Sequence, residues 1–185
     1  MEKPHRPRTT ASVDSQSVDT TSGGEARGRD NAQNGDGRNR HIVVDCRGLL
    51  LAVLVTAASG DDGWAAEALF VRREGLPRGQ VTRMFADAHY HNLQLYEWVD
   101  ENVKWDLEIL RRPEGKRGWV KRPIRWTVER TFAGLGCCRR RSKDREKSVL
   151  SSEAFLQLAM IQLMLQRLEP SDGDAEFHYP RPMAA

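Results

Sequence analysis

The sequence predicts a mixed α/β domain, and three observations carry that prediction. Short β-rich runs alternate along the chain with segments whose apolar residues recur at helical spacing. One run, Leu49 to Thr56 (LLLAVLVT), is apolar nearly throughout, which suits a strand covered on both faces. A length of 185 residues suits a single ordinary core. One domain over residues 11–168 is therefore expected, with a disordered N-terminal remnant at 1–10 and a flexible tail at 169–185.

Ala11 to Val18 alternates weakly and reads as a short strand that carries Asp14. Asp19 to Arg40 is rich in Gly, Asn, Asp and Ser with almost no apolar residues, and it reads as one long loop. His41 to Asp45 and Leu49 to Thr56, joined by Cys46-Arg47-Gly48, read as a hairpin in the centre of a sheet. Asp61 or Asp62 caps a helix to about Arg73, with Ala65, Ala68 and Leu69 inward, which Gly75-Leu76-Pro77 ends. Val81 to Ala86 is a strand leading into Asp87, so both aspartates are expected at strand ends. Asn92 to Asn102 is a helix with Leu93, Tyr96 and Val99 inward, and Trp105 to Leu110 is a strand before the turn Pro113-Glu114-Gly115.

Arg122 to Arg141 reads as a basic helix with Val128, Phe132 and Leu135 on its core side. Arg122, Arg125 and Glu129 project along an adjacent line. Ser152 opens the last helix, followed by Glu153 in its first turn. Apolar residues lie on nearly all faces of that helix, so burial between a sheet and another helix is expected.

Charge is concentrated: from Arg111 to Lys147 fourteen Lys or Arg face four acidic residues, a local excess of +10 within a net charge of +3. Such a block suggests a polyanionic partner. Three cysteines, two of them adjacent, form no disulfide framework and suit a reducing compartment. No signal peptide or membrane-spanning run is expected, so the protein reads as soluble and cytoplasmic. Neither a GxGxxG nor a Walker-type loop occurs, and His41, His89 and His91 do not combine with cysteines at zinc spacing. Asp14, Asp87 and Glu129 lie on separate elements that an α/β sheet can bring together. As hard oxygen donors they suit Mg²⁺ or Mn²⁺. Glu129 alone reads equally as a salt-bridge partner for its arginine neighbours.

Several stretches, in order, resemble the catalytic half of bacterial DDE-type insertion-sequence transposases of the broad IS4-like and IS5-like group. They are VDSQSV (Val13 to Val18), GRNRHIVVD (Gly37 to Asp45), GLLLAVLVTAA (Gly48 to Ala58), ADAHY (Ala86 to Tyr90), EILRRP (Glu108 to Pro113), RWTVERTFAGL (Arg125 to Leu135) and AMIQLMLQRL (Ala159 to Leu168). The resemblance implies an RNase H-like mixed sheet flanked by helices, and Mg²⁺- or Mn²⁺-dependent cutting and joining of double-stranded DNA at element ends. It implies Asp14, Asp87 and Glu129 as the catalytic, metal-holding carboxylates. Arg122, Arg125, Arg130, Arg139 and Arg140 are then expected to contact DNA. Self-association on DNA, in a bacterial cytoplasm, is implied as well. Departures are Arg122 where a tyrosine is common, Gly134 where an aromatic residue is common, and His89 at a generally small position. Only about a dozen residues precede Asp14, where the family carries a DNA-binding segment. A partial or truncated transposase fits that, and the alternative is a DNA-binding remnant without catalysis.

Overall fold

The computed structural model describes residues 10–21, 23–30, 35–72, 81–110, 123–138 and 143–168, with the side chains of residues 30 and 123–125 outside that description. The N-terminal remnant up to residue 9, the 169–185 tail, the turns at 75–77 and 113–115, Arg122, Arg139 and Arg140 lie outside the described residues.

In chain order the elements are β1 (Thr10–Asp19), β2 (Gly28–Asp30), β3 (Gly35–Asp45), β4 (Leu50–Ala57), α1 (Asp62–Val71), β5 (Arg83–Asp87), α2 (Leu93–Asn102), β6 (Asp106–Leu110), α3 (Pro123–Cys137) and α4 (Val149–Leu168). A single 3₁₀ turn, Ala88–Tyr90, follows β5. The sheet runs β2-β3-β1-β5-β6, with β4 pairing β3. β1 lies antiparallel to β3 and parallel to β5, and β5 is parallel to β6.

β1 forms although its sequence is a poor strand former, because it is central: nine of its residues pair β3 while its first three pair β5. Tertiary pairing overrides propensity there. For the same reason Asp14 sits inside β1 rather than at its end. The expected loop from Asp19 to Arg40 is corrected, since β2 and the first six residues of β3 fall within it. Polar residues pass as strand here because they are buried and bonded. Arg38 is fully buried, and its guanidinium donates to the carbonyls of Glu25, Glu146 and Lys147.

The expected central hairpin is corrected in part: β3 is interior, but β4 lies outside it. β4 is nonetheless covered on both faces, by α1 and by α4. Two cores result. Val13, Val43, Leu54, Leu69, Phe70 and Met84 pack under α1 and α2; Ile42, Val44, Val53 and Val55 pack under Val128, Phe132 and Leu135 of α3 and Leu156 of α4. On β4 the Val55 amide is capped by Glu153, whose Oε1 accepts it at 2.9 Å while the Arg72 guanidinium donates to both carboxylate oxygens.

In α1, Asp61 is the cap and accepts the Trp64 amide. In α2 the inward residues are Leu95 and Val99; Leu93, expected inside, is 74% exposed because the helix begins at that residue with Asn92 as its cap. α4 begins three residues earlier than expected, with the Ser148 hydroxyl accepting the Ser151 amide. Only one side of α4 is buried: Leu150, Leu158, Ile161, Leu165 and Leu168 are more than half exposed, contrary to the expected burial. By length and composition alone this 20-residue helix also reaches what a membrane crossing requires, which revises the sequence reading. The Glu153 contacts tie its first half to the sheet.

The β3–β4 turn is locked to α3. Gly48 has φ +77°, and Thr131 Oγ1 lies 3.0 Å from its carbonyl oxygen, to which it donates. A Cβ at Gly48 would stand 2.7 Å from that hydroxyl. Gly48→Ala is therefore expected to lower stability by about 1–3 kcal/mol, read as a drop in melting temperature. An unchanged melt would show that the turn yields without disturbing α3.

Candidate active site

Sheet register places the two aspartates. β1 and β5 pair in parallel up to Ser12 opposite Phe85. Pairing ends there, and Asp14 and Asp87 each lie two residues further along, on the face that carries Ser12 and Phe85. α3 covers this face. The stripe Val128, Phe132 and Leu135 turns into the core and leaves Glu129 exposed on the flank. Asp14, Asp87 and Glu129 line one open cleft of about 630 Å³.

Local bonds orient the carboxylates. Asp14 Oδ1 accepts the Ser15 amide at 2.9 Å. Asp87 caps the 3₁₀ turn: its Oδ1 accepts the His89 amide at 2.6 Å and lies 2.8 Å from His89 Nδ1. Asp87 is buried, whereas the His89 ring is largely exposed at the cleft mouth.

A fourth carboxylate shares the cleft. Asp62 was visible in the sequence only as a possible helix cap, yet it lines the same wall as the triad. Burial pushes its carboxyl pKa up; a Ser15 hydrogen bond and the His89 charge pull it down, and Asp61 and Asp87 push it up further. Behind it stands His41, with Nε2 2.9 Å from Thr56 Oγ1 and Nδ1 3.7 Å from Asp62 Oδ1. Burial lowers the His41 pKa to about 4, so at neutral pH this contact involves a neutral ring and is no ion pair. Beneath the acids, burial raises the Tyr90 phenol, as do the charges of Asp62, Asp14 and Asp87. His41 and Tyr90 both sit inside motifs quoted above, GRNRHIVVD and ADAHY, which was the available signal for them.

This buried histidine has a pH consequence. Between its ordinary value of 6.5 and about 4, the unfolded chain binds a proton that folded His41 does not. Its part in stability is complete above pH 6.5 and declines as pH falls through that window, by roughly 3 kcal/mol in all. Asp62 acts oppositely, since the folded state keeps its proton longer and its contribution falls as pH rises above about 4. His41→Gln is expected to flatten the decline in melting temperature from pH 6.5 to 4. Equal slopes in parent and variant would reject the assignment.

The donor set is all carboxylate, which suits a hard divalent cation. Among the described residues, no three His, Cys, Asp or Glu groups stand close enough together to hold one ion as they are. Asp14 and Asp87 nevertheless match the chemistry of such an ion, with Glu129 and Asp62 lining the same cleft.

The expected DNA-contacting arginines divide. Arg125 lies in α3, with its side chain outside the description. Arg130 does not line the cleft: its guanidinium lies 4.8 Å from the Trp126 ring centroid and donates to the Arg47 carbonyl at the β3–β4 turn.

The chain is similar to known proteins in family and in fold. A family model described as "Transposase DDE domain" matches residues 5–164. Among curated proteins, none matches. A chain of the simian T-cell lymphotropic virus intasome in complex with PP2A regulatory subunit B56 gamma is similar at a TM-score of 0.55 and 12% identity, covering 97% of this chain and 60% of that one. The catalytic core domain of BIV integrase is similar at a TM-score of 0.50 and 14% identity, covering 84% of this chain and 83% of that one. The chain thus spans about 60% of the length of the intasome chain it matches. These likenesses show the fold: a mixed six-stranded sheet flanked by helices, of RNase H-like type.

Proposed function

The chain belongs to the transposase DDE-domain family, and from that premise we propose that it cuts and joins double-stranded DNA at the ends of a mobile element. The observation that carries this reading is the shared cleft of Asp14, Asp87 and Glu129. Asp14, Asp87 and Glu129 would hold Mg²⁺ or Mn²⁺. When bound, such a metal supplies Lewis-acid activation of the attacking oxygen and stabilises the leaving oxygen of a phosphodiester.

The protein's own groups do the rest. Asx-type bonds at Asp14 and Asp87 hold the two carboxylates before DNA arrives, which reduces reorganisation during reaction. The neutral wall of Ser15, Ser17 and Asn39 offers hydrogen bonds to a strand without repelling its phosphates. Ser17 Oγ donates to Asn39 Oδ1 at 2.6 Å, so the Asn39 amide N–H groups remain the donors it presents. Arg122, Arg125, Arg139 and Arg140, with Arg130, supply the positive charge that attracts the backbone. Two copies act together on paired ends, in a bacterial cytoplasm.

Incubation of supercoiled plasmid with purified protein and Mn²⁺, beside an EDTA control, tests this reading. Nicking that requires the metal is the expected result. A folded, DNA-binding sample that never nicks would overturn it in favour of a non-catalytic DNA-binding role.

A further inference from the structure

Outside the cleft, three arginines from three elements meet at the β3–β4 turn. The turn is rigid: Asp45 Oδ1 accepts the amides of both Arg47 and Leu49, and Gly48 is clamped by Thr131. The Arg47 carbonyl accepts Arg130 Nη2 from α3 at 3.1 Å and Arg167 Nη1 from α4 at 3.2 Å. Two guanidinium nitrogens on one oxygen are within about 6 Å of each other, so like charges are held together where they repel. The Arg47 side chain is exposed on the same turn.

Four other described arginines have carboxylate partners: Arg27 with Asp36, Arg38 with Asp144, Arg72 with Glu153 and Arg83 with Asp106. Among the described residues, Arg47, Arg130 and Arg167 make no such pair. Each of the two converging guanidiniums uses one of its five donors on the carbonyl and keeps the others at the surface. Trp126, 40% exposed, lies against the Arg130 guanidinium and holds that fork in place. A fixed cluster of planar guanidiniums at the surface suits phosphate oxygens, which accept such forks in pairs.

We propose that Arg47, Arg130 and Arg167 form a second seat for DNA backbone phosphates, separate from the cleft, which grips the duplex beside the site of cutting. The proposal rests on the reading that DNA is the partner. α3 links the two places, since Glu129 faces the cleft and Arg130, next in sequence and about 100° round the helix, faces the turn. A strand leaving the cleft over α3 meets the seat. An exposed clip that only steadied the turn would have no need to concentrate unpaired positive charge.

The test is duplex binding by the full chain as a function of salt, comparing the parent with Arg47→Gln/Arg167→Gln. The expected result is at least about a tenfold loss of affinity near 0.1 M salt, with the log–log salt slope shallower by about one to two. Arg167→Lys is expected to restore most of the slope, because a point charge still meets a phosphate. Arg167→Gln alone, in the last turn of α4, keeps the test available if the double variant melts early; its expected slope change is about one. Parent-like affinity and slope in a variant that binds DNA would overturn the seat while leaving the cleft reading intact. Absence of binding by the parent would overturn both. Metal-dependent nicking lost in a cleft variant whose salt slope is unchanged would support the two places as separate.

Discussion

Asp87→Asn is expected to reduce metal-dependent nicking by roughly a thousandfold or more, the scale of losing a group that acts on charge developing in the transition state. The fold should survive, because asparagine keeps the oxygen that accepts the His89 amide. Stability should rise slightly, since Asp14, Asp62 and Asp87 line one cleft as like charges. The same repulsion is what a divalent cation would relieve. Mg²⁺ or Mn²⁺ is therefore expected to raise the melting temperature of the parent and to do so much less in the variant, by linkage to binding. Duplex affinity without metal should stay within about twofold of the parent, since a groove-tracking backbone contact depends on the arginines. Nicking by the variant at the parent rate would remove Asp87 from the reaction. Equal metal-induced shifts in the two proteins would remove it from the metal site.

Arg38→Ala is expected to be the most destabilising single change outside the cleft. Its guanidinium is wholly buried and donates to three carbonyls, with Asp144 Oδ2 3.4 Å from Nη1. Asp144 is equally buried, accepting the Ser152 hydroxyl and the Glu146 amide. Removing the cation leaves that carboxylate and the carbonyls without their donor, a loss of about 3–5 kcal/mol. Set against a total of about 5–15 kcal/mol, this leaves little margin, and a fall of roughly 10 °C in melting temperature follows. Arg38→Ala/Asp144→Ala should be less destabilised than the two single losses added together, because the stranded charge is gone. A melt within a degree or two of the parent for Arg38→Ala would show that water replaces the guanidinium.

Asp87 and Arg38 differ in how legible they are in the sequence. Asp87 was readable because an apolar strand runs directly into it and ADAHY resembles a known motif. The core stripe of α3, Val128, Phe132 and Leu135, followed from spacing alone and is buried as expected. Arg38 was not readable: two of its three carbonyl partners lie more than a hundred residues away, which no local pattern reports. A polar segment therefore looked like a loop. α4 failed for the opposite reason. Its composition told how apolar it is, but not that one sheet edge and α3 would cover only one side. Asp62 was hidden behind the more obvious role of a helix cap, a role its neighbour Asp61 fills.

The clasp over β4 has a consequence for the order in which the chain is made. Glu153 reaches back 98 residues to the Val55 amide, and Arg72 lies 81 residues before it. At ordinary translation speed the last helix emerges on the order of ten seconds after β4. For that interval the outer strand lacks both its α4 cover and the Glu153 bond, and its edge is able to accept a strand from a neighbouring chain. A product ending before Val149 would remain in that state permanently. Such fragments should be recovered in aggregates, so early termination would remove this protein from the cell and would not release an inactive competitor for its DNA.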